Sequence, residues 1–102
     1  MSEQEIVNSI IDYINLLGGK AIRINAGLFV MHDNGEKRVV HGAPAGTSDI
    51  LACYKGRYIA IECKMPGKKL TQKQYNFLRE VRDAGGEGYM ATSIDDIKDY
   101  IK

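Results

Sequence analysis

The stretch that most restricts the fold is "SDILACYKGRYIAIECKMPGKK", residues 48–69. Two apolar segments rich in β-formers flank Lys55-Gly56, which predicts a β-hairpin: strand 49–54, a two-residue turn, strand 57–64. With a turn of that length, residues facing each other sum to 111: Tyr54 faces Arg57, Cys53 faces Tyr58, and Asp49 faces Glu62. Directly opposed side chains share one side of a sheet, with Cβ atoms ~4.5–5.5 Å apart. The period of two brings Lys64 to that side and sends Cys63 to the other with Ile59 and Ile61. Asp49, Glu62 and Lys64 therefore converge from a segment of 16 residues. A bulge would displace this pairing by one residue, so everything drawn from it depends on a regular ladder.

Opposed carboxylates repel one another and destabilise a sheet. Lys64 offsets part of that repulsion, and a divalent cation would offset the rest. Hard ions such as Mg²⁺ take carboxylate oxygens, carbonyls, waters and phosphate, and the Cys63 backbone carbonyl is the nearest further oxygen. A cation there would activate water and polarise a phosphodiester, with a lysine to balance the developing charge.

The remaining chain supplies a frame for that hairpin. Residues 3–17 read as a helix with Ile6, Ile10, Ile14 and Leu17 on one stripe, opened by the capping box Ser2-x-x-Glu5 and stopped by Gly18-Gly19. "KAIRIN" (20–25) is a strand, and residues 28–41 form a hairpin turned at Asn34-Gly35. "GAPAG" (42–46) is a loop. Residues 71–84 make a second helix with Tyr75, Leu78 and Val81 inward, 87–92 a last strand, and Ser93 caps a C-terminal helix striped with Ile94, Ile97 and Ile101. The expected result is a single α/β domain over residues 1–102, with helices flanking a central mixed sheet and hairpin 28–41 inserted. Tyr54, Tyr58 and Tyr75 read as packing residues. His32 and His41 are not opposed in their hairpin, which argues against zinc, and Cys53 and Cys63 point to opposite faces of theirs, which argues against a disulfide.

Net charge is +1, so no bulk basicity demands nucleic acid, yet Lys64, Lys68, Lys69 and Lys73 fall within ten residues. Lys68, Lys69 and Lys73 border the paired acids and are candidate phosphate contacts, with Arg23 and Asn25 as weaker ones. Two unpaired cysteines point to a reducing compartment. "MSEQEIVNSI" lacks the basic start and apolar core of a signal peptide, and no run approaches the ~20 residues of a membrane span, so a cytoplasmic protein is expected.

Asp49 followed by "IECK" resembles the PD-(D/E)xK nuclease motif, with "GTSDI" as its first half and Ser48 where proline often stands. "GKKLTQKQYNFL" is similar to the virus-type replication-repair nuclease branch, VRR-NUC, which carries a glutamine in the helix after the E-x-K strand; Leu70 to Gln74 fits that spacing. The branch also carries an acid in its first helix, for which Glu5 is the best-placed candidate. The resemblance implies a restriction-endonuclease-like α-β-β-β-α-β core and a Mg²⁺- or Mn²⁺-dependent DNA endonuclease. Asp49 and Glu62 would be its metal ligands, joined by the Cys63 carbonyl and Glu5, with Lys64 catalytic and Gln74 assisting. It further implies a small phage or bacterial protein acting as a homodimer on branched DNA such as Holliday junctions, with hairpin 28–41 a candidate dimerisation element. Two other classes fit the same residues less well: a non-cleaving DNA-binding module, and a structural subunit of a phage replication or repair complex. A degenerate copy is expected to lose at least one of Asp49, Glu62 and Lys64, and all three are present.

Overall fold

The structure is a computed structural model that describes residues 1–102. Helix α1 (Glu3–Leu16) starts at the capping box: Glu5 N–H donates to Ser2 Oγ, and Ser2 N–H donates to Glu5 Oε1, both at 3.1 Å. Its stripe of Ile6, Val7, Ile10 and Ile14 is buried, whereas Leu17 lies past the helix end and is exposed. Strands β1 (Lys20–Arg23), β4 (Ile50–Tyr54), β5 (Arg57–Cys63) and β6 (Glu87–Ala91) form one sheet in the order β1-β4-β5-β6. The first three are mutually antiparallel and β6 joins β5 in parallel, as a crossover through helix α2 (Gln72–Asp83) requires. The molecule is thus an α/β fold with a mixed four-stranded sheet and two helices.

The ladder between β4 and β5 has the predicted register, from Tyr54 opposite Arg57 to Ile50 opposite Ile61. Lys55 at φ 51° and Gly56 at φ 73° are both left-handed, the conformation of a type I′ turn, whose twist matches that of the strands it joins. α1 packs on one face, where Ile50, Ile59, Ile61 and Cys63 are buried. α2 packs on the other face, and only over β5 and β6. β5 therefore runs between two covered faces, and its residues from Ile59 to Cys63 are all buried.

Three expectations are corrected. The C-terminal helix reduces to one 3₁₀ turn, Ile94–Asp96, and Ser93 makes no side-chain cap; Asp96 instead accepts hydrogen bonds from the backbone and hydroxyl of Thr92. Its apolar stripe survives in looser turns, with Ile97 and Ile101 fully buried. On α2 only Leu78 is buried, and Tyr75 is 49 % exposed, because the helix leans on the sheet through a single row at Gly88. Among the tyrosines read as packing residues, Tyr54 is buried but Tyr58 is 52 % exposed.

Strands β2 (Leu28–Asp33) and β3 (Glu36–His41) form the predicted Asn34-Gly35 hairpin as a separate two-stranded ribbon. Neither strand packs on any other element of the chain. The molecule is correspondingly elongated, 47 × 30 × 28 Å. No helix is long and apolar enough to cross a membrane.

Candidate active site

Asp49 sits one residue before β4 and is held from both sides. Its carbonyl accepts from Ile24 N–H at 2.7 Å, prolonging the β1–β4 pairing, while its Oδ2 accepts from Cys63 N–H at 2.9 Å. The carboxylate thus caps the end of β5 in place of the next ladder bond. The N–H and C=O of one residue in a strand point to the same edge, so the Cys63 carbonyl also faces the Asp49 side, beyond the last rung at Ile50 and Ile61. Cys63's thiol lies on the opposite, α1 face and is buried. Burial, followed by the charges of Asp49 and Glu62, pushes that thiol up to about 12, so it is no nucleophile.

Glu62 is the unusual group. It is 2 % exposed, one of two buried polar residues in the chain, and its Oε2 has no hydrogen-bond partner. Its Oε1 accepts from Gln74 Nε2 at 3.0 Å. Burial first, then the charge of Asp49, pushes its carboxyl up to about 8, and Lys64 pulls it only partly back. An orphaned buried carboxylate oxygen is costly, about 1–3 kcal/mol or more, and calls for an explanation.

Gln74 reaches Glu62 because it is the N3 residue of α2's own capping box. Thr71 N–H donates to Gln74 Oε1 at 2.9 Å and Gln74 N–H donates to Thr71 Oγ1 at 3.2 Å, which leaves the amide nitrogen for Glu62. The motif that starts the helix also sets the rotamer of the acid. Lys64 follows β5, half-buried, with no acid close enough for an ion pair. Its charge is felt by Glu62 nonetheless. Lys68 and Lys69 are exposed in the segment before α2, and Lys73 is exposed in its first turn.

A cleft of about 380 Å³ joins Asp49, Glu62 and Gln74 to Arg23, Asn25 and Thr47. Its outer wall is the 42–46 loop, seated against α2 at Gly46. Gly46 has φ +93°, and a Cβ there would lie 2.8 Å from the backbone of Lys73. Gly46→Ala is therefore expected to destabilise the protein by about 2–3 kcal/mol, read as a lowered midpoint in urea unfolding. An unchanged midpoint would mean that the loop does not bear on α2.

Glu5 is exposed and occupied by its own helix cap, and Ser2's hydrogen bonds hold its carboxyl below the usual range. The structure does not bring it to the site. Glu3, itself exposed, stands one turn before the buried Ile6 and Val7, and its charge reaches the Cys63 thiol on the α1 face. Extending the stripe backward by three or four residues would have found it; the capping box drew attention to Glu5 instead.

No three acidic, histidine or cysteine side chains converge as a ready metal cage. Two carboxylates, one of them with an orphaned oxygen, and a strand-end carbonyl nevertheless form a hard-oxygen donor set that suits Mg²⁺ or Mn²⁺, with waters and phosphate completing the shell. No family model matches the sequence, and no curated protein matches it significantly.

Proposed function

We propose that the chain is a metal-dependent DNA endonuclease of the VRR-NUC type, with the restriction-endonuclease-like core. The observation that carries this reading is Glu62: a buried carboxylate with an unpartnered oxygen, set beside Asp49 by a regular ladder and next to an unpaired lysine. A fold gains nothing from that arrangement unless a cation and a substrate complete it.

Asp49, Glu62 and the Cys63 carbonyl would hold the ion, with Glu3 rather than Glu5 as the acid from α1. When bound, a divalent cation supplies charge neutralisation and Lewis acidity to a scissile phosphodiester. Lys64 contributes an ammonium that orients the attacking water and offsets negative charge as it builds on the phosphate. Gln74 keeps Glu62 in one rotamer, so no reorganisation is needed when the ion enters. The exposed Lys68, Lys69 and Lys73 receive neighbouring phosphates and Arg23 lines the cleft floor. Branched DNA is the favoured substrate, cut by a homodimer.

Incubation with four-way-junction, flap and linear DNA, in Mg²⁺, Mn²⁺ or EDTA, tests this beside Glu62→Gln. Metal-dependent cleavage that the substitution abolishes is expected. Binding without cleavage would select a DNA-binding module, and neither would select a structural subunit. Lys68→Ala with Lys69→Ala is expected to flatten the slope of log K against log salt by roughly two units, as loss of two phosphate contacts requires. Identical slopes would remove that loop from the DNA surface.

A further inference from the structure

The sheet face that carries Asp49 and Glu62 is covered by α2 only over β5 and β6. From the acids toward the turn at Lys55-Gly56, the register continues that face through Leu51 to Tyr58, with Ile22 alongside. Ile22 and Tyr58 are 48 % and 52 % exposed. Helix α2 borders the bare half with Lys73, Phe77 and Glu80, one stripe at spacings of four and three residues. Between that stripe, the sheet and the 42–46 loop lies a groove of about 620 Å³, the size of a small-molecule site. Ile24, Ala45 and Thr47 line this groove and the cleft of Asp49 and Glu62 alike, so the two adjoin.

The chemistry of the walls selects the occupant. Tyr58 and Phe77 both line the groove, and neither stacks on another ring, as Tyr89 and Tyr100 do at 5.7 Å. Gly86 lies against the Tyr58 ring, where an added Cβ would approach Cδ1 to 3.2 Å, so the ring is braced on backbone. Every nucleobase offers a π-face, and stacking on an aromatic side chain is indifferent to its identity. Charge is graded along the α2 stripe. Lys73 adjoins Gln74, which touches Glu62, and Glu80 stands two turns farther off. The near end attracts phosphate; the far end repels it and accepts hydrogen bonds from amino groups such as those on base edges. Tyr58 precedes Glu62 by four residues on β5, about 13 Å. That is about the rise of four nucleotides stacked in one strand. A base inside a duplex has both faces covered by its neighbours and cannot enter, whereas an unpaired one can.

We propose that the groove of Tyr58 and Phe77 takes one unpaired nucleobase of the DNA strand whose phosphate lies at Asp49 and Glu62. The assignment rests on the endonuclease reading of that site. It narrows the branched substrate to one with an unpaired nucleotide within about four of the scissile bond. Tyr58 is a binding residue and does not touch the reacting atoms.

Fluorescence anisotropy in EDTA tests it, with a duplex bearing a single-stranded arm and a fully paired duplex of the same length. The unaltered protein is expected to bind the armed duplex about tenfold more tightly. It is also expected to quench 2-aminopurine placed in the arm within about four nucleotides of the branch. Tyr58→Ala, at an exposed position, is expected to lose both the preference and the quench with unchanged circular dichroism. Tyr58→Phe, which keeps the ring, is expected to retain both, and Tyr58→Leu, apolar but without a ring, neither. A preference that survives Tyr58→Ala would overturn the proposal, as would an unaltered protein that binds the two DNAs alike. So would a Tyr58→Ala protein altered only in sedimentation mass, since a second copy of the chain would then cover the groove. Cleavage in Mn²⁺ separates this inference from the reading beneath it. Cutting with no such preference keeps the endonuclease and removes the base site; preference without cutting keeps the base site and removes the endonuclease.

Discussion

Lys64→Ala is expected to lower the rate of DNA cleavage by at least about a hundredfold while leaving thermal stability and cation binding unchanged. The separation follows from its surroundings. Lys64 is half-buried but forms no ion pair and is not among the core residues, so truncation breaks no salt bridge and opens no core cavity. Its charge acts on Glu62. Glu62→Gln should behave differently. Cleavage is lost, stabilisation by Mn²⁺ is lost, and the metal-free protein becomes more stable at pH 8, because a neutral amide replaces a buried carboxylate that repels Asp49. Single-turnover cleavage and thermal melts with and without Mn²⁺ read both variants. If Lys64→Ala kept full activity, the lysine would be a solvated strand-end residue and the proposed chemistry would fail.

The second large effect is on stability against pH. Glu62's carboxyl is pushed up to about 8 by burial and by Asp49, well above its ordinary value of 4.5. Between those two pH values the native state holds a proton that the unfolded chain has released. Glu62's contribution is therefore full below about pH 4.5 and is lost as pH rises through 8. Glu87, held low by Arg57, and Asp96, held low by Thr92, work in the opposite sense and weaken the fold only as pH falls through the carboxylate range. The interval from pH 5 to 8 thus belongs to Glu62. The metal-free protein is expected to lose at least about 5 °C in Tm across it, about 1 kcal/mol in a domain of this size. A cation that binds the ionised carboxylate reverses the effect, so Mn²⁺ should raise Tm more at pH 8 than at pH 5. A profile that is flat in the parent and unchanged in Glu62→Gln would show that Glu62 ionises normally and has no need of a cation.

The pairing of Asp49 with Glu62 was readable from the sequence because a two-residue turn leaves no freedom. Lys55 and Gly56 both adopt φ > 0, and every later rung is then determined. The same local logic placed the Asn34-Gly35 ribbon and the Ser2–Glu5 capping box, and the Thr71–Gln74 box that the structure adds obeys it too. Gln74 shows how far such signals extend, since a residue legible as a helix-start partner also supports the site. Glu5 shows the reverse: a local signal was satisfied locally, and its side chain was thereby withdrawn from the cleft. The C-terminal segment kept its buried isoleucines without the helix their spacing suggested, since Asp96 bonds back to Thr92 and tight turns suffice.

What the sequence determined by itself is whatever depends on neighbours along the chain or across a tight turn: strand register, helix starts, and the convergence of two acids and a lysine. Tertiary structure alone decided that Glu62 would be buried with an oxygen unpaired and that α2 would cover only half of its face. Those outcomes depend on where one layer comes to rest on another. That position is set by volumes and close approaches such as Gly88 beneath Leu78 and Gly46 beside Lys73, which no stretch of sequence records in isolation.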